Sequence, residues 1–468
     1  MSRIGLRLSV GSLTLLLALV SQGADTLEAG VESPLRPSSR WFGGEPDHRC
    51  AGCNVFLISI DTLRADHVGA FGYERETTPN VDKFALESVL FNTAVAHAAS
   101  TLPSHASIFT SLIPAHHKAS HSRDLPLPQD AVTMAEILWQ AGFRTAAFTA
   151  GAQLDEKYAV DQGFDLYHAE KNSATHRTRF SETVALAETW IDEHLDEQIF
   201  VFLHTYEVHA PYTPRRDYLQ MLRGDYGGWI EDDVTVLALK NMNDQMIHLS
   251  EADRNHIIST YDAEIRNVDD AFAGFLAFLR DRGLYDNSLI VFTSDHGEEF
   301  GERGKMGWHA YTLYDELLRV PLIIRFPRSA FAGAEVHEVA RGIDILPTIT
   351  DVLGIEPEVW FEGLSLVEHL EGRKRDVVFA VSQRDRREER PPTAIRTKRW
   401  KLIDGALFDL ARDPMERVNV ANQHPYMVAA LDINRQRLLK AGGLIAAEPI
   451  ELSEELRRQL RALGYIEQ

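Results

Sequence analysis

Short runs of apolar residues punctuate this chain at Asn54–Ile60, Arg144–Thr149, 199–204, 289–294 and 321–326. Each is too short for a buried helix and is rich in β-branched and aromatic residues, so each predicts a strand covered on both faces. Between them the apolar positions recur at helical spacing. Ile265, Val268, Phe272, Phe275 and Leu276 form one stripe of a helix predicted over about 259–282 and stopped by Gly283. Another helix is framed by Thr133 and Glu136 as a capping box and by Gly142 as its stop. Strands alternating with helices predict an α/β fold: a large mixed, mainly parallel sheet flanked by helices. After about residue 370 the pattern changes. Residues 377–382 and Trp400–Ile403 read as short antiparallel strands, followed by a polar helical tail from Glu451.

Composition narrows the picture without naming a function. The chain has 468 residues, 44% of them hydrophobic, which fits one large globular α/β domain with a smaller appendage. Its 48 Lys+Arg against 69 Asp+Glu give a net charge of −21, which argues against nucleic acid as a partner because phosphate binding needs a cationic face. Two cysteines cannot build a disulfide framework. Cys50 and Cys53 stand just before the first strand and read as a local disulfide or as two free thiols. A redox pair would want a helix start after it, and zinc would want two further ligands.

Residues 1–24 carry Arg3 and Arg7, an uncharged run from Leu8 to Val20, and the small residues Ser21, Gly23 and Ala24. This is the pattern of a secretory signal, which places the protein in the periplasm or outside the cell. The uncharged run is shorter than the roughly 20 residues a bilayer span needs, so no integral membrane domain is expected, although an uncleaved anchor is the alternative. Residues 25–49, rich in Pro, Gly and Ser, read as a linker. The expected organisation is then a catalytic domain at 50–370, a C-terminal α+β subdomain at 371–430, and a helical tail at 431–468.

The candidate chemistry lies at strand ends. Asp61 follows NVFLISI, and Asp295 and His296 follow SLIVFTS. Ligands of open α/β sheets bind outside the carboxyl ends of strands, so two carboxylates and an imidazole delivered there can converge. Converging carboxylates repel unless a cation lies between them, which implies a divalent metal. Between these elements lies Ser100-Thr101-Leu102-Pro103-Ser104-His105, ahead of a helical stretch. A hydroxyl at a helix start faces unpaired N–H groups, where an anionic ester would settle, and metal coordination would make it a usable nucleophile. The alternative is that Ser100, Thr101 or Ser104 only caps the helix.

The ordered set NVFLISIDTLRADHVGAFGY, TTPNVDKFA, STLPSHASIFTSLIP, HAPYTP, YDAEIRNVD, SDHGEEFGE, YDELLRVPLII and LFDLARDPMERVN resembles the bacterial sulfatase family of the alkaline-phosphatase superfamily. The resemblance covers about residues 54–425 and implies a hydrolase of sulfate or phosphate esters with a small C-terminal subdomain. By position it implies Asp61, Asp295 and His296 as metal ligands and Thr101 as both ligand and nucleophile. His209, and His309 in competition with Lys305, match positions that hold a substrate oxyanion or protonate the leaving group. His204, His105 and His117 are expected no closer than a supporting layer. One divalent cation is implied, calcium first, with magnesium, manganese or zinc as alternatives.

The departures from the family pattern matter. The nucleophile position holds Thr101 where sulfatases carry Cys or Ser matured to formylglycine, so no formylglycine is expected; His105 replaces the motif arginine, and Thr62 replaces a metal carboxylate. A sulfated threonine has no aldehyde exit, which pulls the substrate toward phosphate esters. The rival readings are a phospho-group hydrolase or transferase only, and a non-catalytic anion-binding relative. The loops at 215–255, including Arg216, Tyr218 and Trp229, could contact a leaving group or simply pack. The partner expected throughout is a small anionic ester.

Overall fold

In the computed structural model the described residues are 48–170, 178–372, 379–385, 391–441 and 451–463. The signal and nearly all of the linker expected at 1–49 lie outside them. The strands, in chain order, are β1 (Asn54–Ile60), β2 (Val89–Val95), β3 (Arg144–Thr149), β4 (Leu166–Ala169), β5 (Ile199–Thr205), β6 (Ser288–Thr293), β7 (Glu299–Phe300), β8 (Met306–Trp308), β9 (Arg319–Val320), β10 (Leu322–Arg325), β11 (Glu335–Arg341), β12 (Ala380–Gln383), β13 (Thr393–Arg396), β14 (Trp400–Ile403) and β15 (Ala406–Asp409). Nine of them form one sheet in the order β11-β2-β10-β6-β1-β5-β3-β4, with β9 added on β2. The centre, β6-β1-β5-β3-β4, is wholly parallel. β10 runs antiparallel between β6 and β2, so the run at 321–326 is a strand of opposite direction.

Every residue of β1 is buried, as its unbroken apolar run requires of a strand covered on both faces. Its side chains alternate between two cores: Val55 and Leu57 enter one, Phe56, Ile58 and Ile60 the other. Helix Glu251–Asp281 fills the second core with Ile265, Val268, Phe272, Phe275 and Leu276, the predicted stripe. It begins earlier than the stripe suggests, because Ser250 and Asp253 form a reciprocal capping box upstream. The first core is covered by helices Thr101–Thr110, Met134–Gln140 and Ile345–Leu353. Thr133 and Glu136 make the expected capping box.

β12 to β15 form a separate antiparallel meander. Helix Pro425–Ala441 packs on it through Leu431 and Val428, and so runs across the boundary expected at residue 430. Helix Glu454–Ala462 turns back onto the large core through Leu456 and Leu460, and Gln459 accepts from Ala152 N–H at 3.3 Å. Cys50 and Cys53 are joined as a local disulfide. Among the described residues no helix is long and apolar enough to cross a membrane.

Candidate active site

Sheet register brings the acidic residues together. Ser59 of β1 pairs with Thr293 of β6, and Asp61 and Asp295 each lie two residues further on, so the chains leave the sheet side by side. Asp61, Asp295 and His296 each offer a ligand atom, all within 4.8 Å of one another, and all three are buried. Gly297 is obligatory after them: a Cβ there would stand 2.1 Å from Glu316 O. The turn after β1 holds Thr62 at φ 56, a left-handed conformation costly for a β-branched residue. Its N–H donates to Asp295 Oδ1 at 3.3 Å and its carbonyl accepts from Tyr261 OH at 2.8 Å, which offset that cost.

His296 has a defined tautomer. Its Nδ1 lies 2.9 Å from Gly297 O, a carbonyl that can only accept, so Nδ1 carries the proton and Nε2 turns a lone pair to the cluster. Nε2 lies 3.5 Å from Asp295 Oδ2. Burial raises the Asp61 carboxyl to about 6, held back by His296 and by the Thr101 hydroxyl. Burial, and then the Asp61 charge, raises Asp295 as well. Asp61 Oδ1, Asp295 Oδ2, His296 Nε2 and Thr62 Oγ1 are all buried without a hydrogen-bond partner. Orphaned atoms on all three clustered residues, Asp61, Asp295 and His296, are what a bound divalent cation would satisfy.

Thr101 opens helix Thr101–Thr110 and is fully buried. Its hydroxyl donates to Asp61 Oδ2 at 3.0 Å and shares a hydrogen bond with the Tyr206 side chain. The cap-only alternative does not describe the hydroxyls here. Ser100 is the N-cap residue but its Oγ donates to Gln153 Oε1 at 3.2 Å, and Ser104 Oγ donates to Asp295 O at 2.7 Å. The helix start is less open than the sequence implied: Gln153 Oε1 also takes Leu102 N–H at 2.9 Å, and Pro103 has no N–H to offer.

A chain of rings borders the cluster. His309 lies 4.6 Å from His296 and 4.9 Å from His209 between ring centroids, and His209 lies 5.6 Å from Tyr206. Both candidate histidines therefore reach the site. Lys305 sits between β7 and β8, its N–H held by Glu299 Oε1 at 2.9 Å; among the described residues its ammonium makes no ion pair with the cluster. Glu298, overlooked in the sequence, is fully buried; it lies 3.0 Å from His309 Nδ1 and accepts from Tyr212 OH at 3.3 Å. Burial pushes Glu298 up to about 8 and His309 down to about 4, so at neutral pH the pair holds one proton.

Other residues missed were Gln153 and Tyr206, which grip the Thr101 end; His204, expected only in a supporting layer, lies 3.5 Å from Asp61 Oδ2. His105 bridges Thr101 O and Ser59 Oγ, and His117 lies 3.1 Å from Pro103 O, both as supports. Of the loop candidates, Tyr218 packs between Arg215 and Arg266 while bound to Asp270, and Arg216 pairs with Asp232 and Asp233 on the surface. Trp229 is exposed.

Residues 53–355 match the family model described as Sulfatase, and residues 304–440 match one described as N-sulphoglucosamine sulphohydrolase, C-terminal. The chain is 24% identical to the multifunctional alkaline phosphatase superfamily protein PehA of Trinickia caryophylli, over 82% of this chain and 94% of that protein. It is 30% identical to a choline-sulfatase of Rhizobium meliloti over 46% of this chain and 44% of that one. Among solved structures, the phosphonate monoester hydrolase of Agrobacterium radiobacter superposes with a TM-score of 0.68 at 22% identity, covering 86% of this chain and 98% of that one. A family model matched over well more than half of the chain decides the assignment, and the chain belongs to the sulfatase family of ester hydrolases.

Proposed function

We propose that the protein hydrolyses a small anionic sulfate or phosphate ester at one divalent cation, with Thr101 as nucleophile. The observation that supports this most directly is the Thr101 hydroxyl bonded to Asp61 Oδ2 at 3.0 Å, beside the cluster of Asp61, Asp295 and His296. The family is metal-dependent, and the orphaned atoms of Asp61, Asp295 and His296 fit a cation. Bound there, a divalent cation would neutralise the paired carboxylates, draw in the ester's charged oxygens and lower the pKa of the Thr101 hydroxyl.

The chain's own residues supply the rest. Asp61 Oδ2 receives the Thr101 proton as Oγ attacks phosphorus or sulfur in line. The single proton of the Glu298–His309 pair passes to the departing oxygen; water then attacks the phosphorus or sulfur now bound to Thr101, the bond to Oγ breaks, and Oγ takes its proton back from Asp61. His209, beside His309, would hold an ester oxygen, and Lys305, half-buried between β7 and β8, is the weaker candidate for that task. Calcium, expected from the family resemblance, wants an oxygen shell; two carboxylates, an imidazole and a threonine in place of a third carboxylate suit manganese or zinc equally.

A phosphorus ester is the preferred substrate within this reading, because Thr101 cannot expel sulfate by collapsing to an aldehyde. The buried Cys50–Cys53 disulfide accords with export to an oxidising compartment. The test is a panel of 4-nitrophenyl sulfate, phosphate and phenylphosphonate with calcium, magnesium, manganese and zinc in turn. Turnover of at least one ester is expected, falling about 10³-fold or more in Thr101→Ala. A cation-loaded protein that turns over none of them favours the non-catalytic alternative; full activity in Thr101→Ala removes the nucleophile.

A further inference from the structure

β5 carries, one residue before its end, a histidine with no role in the mechanism above. His204 is wholly buried, and neither of its ring nitrogens has a hydrogen-bond partner. Leaving a buried polar group unmet is destabilising, so the orphaned ring calls for a reason. Burial alone is not that reason. His105, 5.1 Å away between ring centroids, is equally buried yet engages both nitrogens, Nδ1 on Thr101 O and Nε2 on Ser59 Oγ, each at 2.9 Å.

What singles out His204 is its neighbour. Its Nε2 lies 3.5 Å from Asp61 Oδ2, the same oxygen that accepts the Thr101 hydroxyl at 3.0 Å. Its place is rigid: His204 is paired with Ser59 in the parallel β1–β5 ladder, and the Tyr206 ring stands edge-on to it at 4.7 Å. Asp61 thus has two unlike oxygens. Oδ1 is open to the cation cluster, while Oδ2 lies between a hydroxyl and an imidazole.

We propose that His204 is a positioning residue for the nucleophile, its Nε2–H steadying Asp61 Oδ2 as the acceptor of the Thr101 proton. The inference rests on Thr101 being that nucleophile. In the step it assists, the Thr101 O–H proton moves to Asp61 Oδ2, the new bond from Oγ to phosphorus or sulfur forms, and the bond to the departing oxygen breaks. His204 keeps its own proton throughout and touches neither the ester nor the reacting oxygen.

The experiment compares the wild type with His204→Phe, which keeps the ring and removes both nitrogens, and with His204→Gln, whose amide can restore one donor. Each is assayed on the best ester of the panel at saturating cation, with cation affinity measured separately by calorimetry. His204→Phe should lower kcat about 100-fold with KM and cation affinity within about threefold, and His204→Gln should recover about tenfold of the loss. The proposal is overturned by a His204→Phe kcat within twofold of wild type, by a loss that follows weakened cation binding, or by a folded His204→Gln no better than His204→Phe. If His204→Phe does not fold, His204→Gln decides alone: unchanged cation affinity with a kcat lowered by less than about twofold rejects the role, and a larger kcat loss with KM unchanged supports it. Should Thr101→Ala stay active, it is the nucleophile reading that has failed; Thr101→Ala inactive with His204→Phe fully active rejects this proposal only.

Discussion

Stripping the cation should leave Asp61 contributing stability that falls as pH rises, the reverse of the acid lability usual for carboxylates. The perturbation is chelation, which leaves Asp61 and Asp295 facing each other with no positive charge between them. Burial lifts the Asp61 carboxyl from 3.8 to about 6. A raised acid binds its proton more tightly in the folded state, so its contribution is fully present below pH 3.8 and is lost as pH rises through about 6. A shift of about two pH units corresponds to roughly 3 kcal/mol, and Asp295, shifted the same way, adds to the slope. Saturating cation should return about 2.7 kcal/mol at a hundredfold excess over its Kd. The assay is urea unfolding of chelated and cation-loaded protein at half-unit steps between pH 4.5 and 7.5, with Asp61→Asn as control. Glu298, Glu299 and Glu416 are also raised and slope the same way, while His97, His105, His117, His204 and His309, lowered by burial, slope the opposite way, so the decisive quantity is the difference between wild type and Asp61→Asn. A stability difference between chelated wild type and Asp61→Asn that is flat or rises with pH over that window refutes the reasoning.

Glu298→Ala, which strips the buried partner from His309 and Tyr212, should lower kcat by about 100-fold at unchanged cation affinity, with Glu298→Gln between it and wild type; steady-state kinetics at saturating cation check this. Lys401 is buried between Asp315 at 2.7 Å and Glu416 at 2.9 Å, so Lys401→Ala should cost about 3–5 kcal/mol in urea unfolding, and a loss under about 1 kcal/mol would contradict the burial. Gly163 sits at φ +87 with Glu136 N only 2.1 Å from where a Cβ would stand, so Gly163→Ala should lose at least the 1–3 kcal/mol typical of a forced left-handed residue, read from the same unfolding curves.

Much of the sheet was legible because its central strands are unbroken apolar runs, which only a doubly covered strand needs. β2, β4 and β11 were not, and for reasons that can be named. Asn92 and Thr93 interrupt β2 where its side chains are half-buried, β11 loses its alternation at His337 and Glu338 where the register shifts, and β4 has four residues with none buried. The direction of β10 was equally hidden, since an apolar run specifies burial and not polarity. At the site, Asp61, Asp295 and His296 were legible as polar residues directly after apolar runs. Gln153, Tyr206 and Glu298 carry no such local mark. Gln153 meets Ser100 Oγ and Leu102 N–H across separations of 53 and 51 residues, which no local pattern announces.

The same distinction explains how an acidic protein can be built to hold an anion. The net charge of −21 belongs to the whole chain, and its surface repels polyanions as the composition implies. Inside, the order β6-β1-β5 aligns Thr293, Ser59 and His204 in one row, and that row alone decides which side chains meet. A slip of one residue between β1 and β6 would turn Asp61 or Asp295 away and dissolve the cluster, whatever the composition. The two carboxylates, raised by burial, would be neutralised by a bound cation, which would in turn draw in an ester that the surface would not hold. Selectivity for anions built this way would be a property of register, and would survive any change of surface charge that leaves the three parallel strands in place.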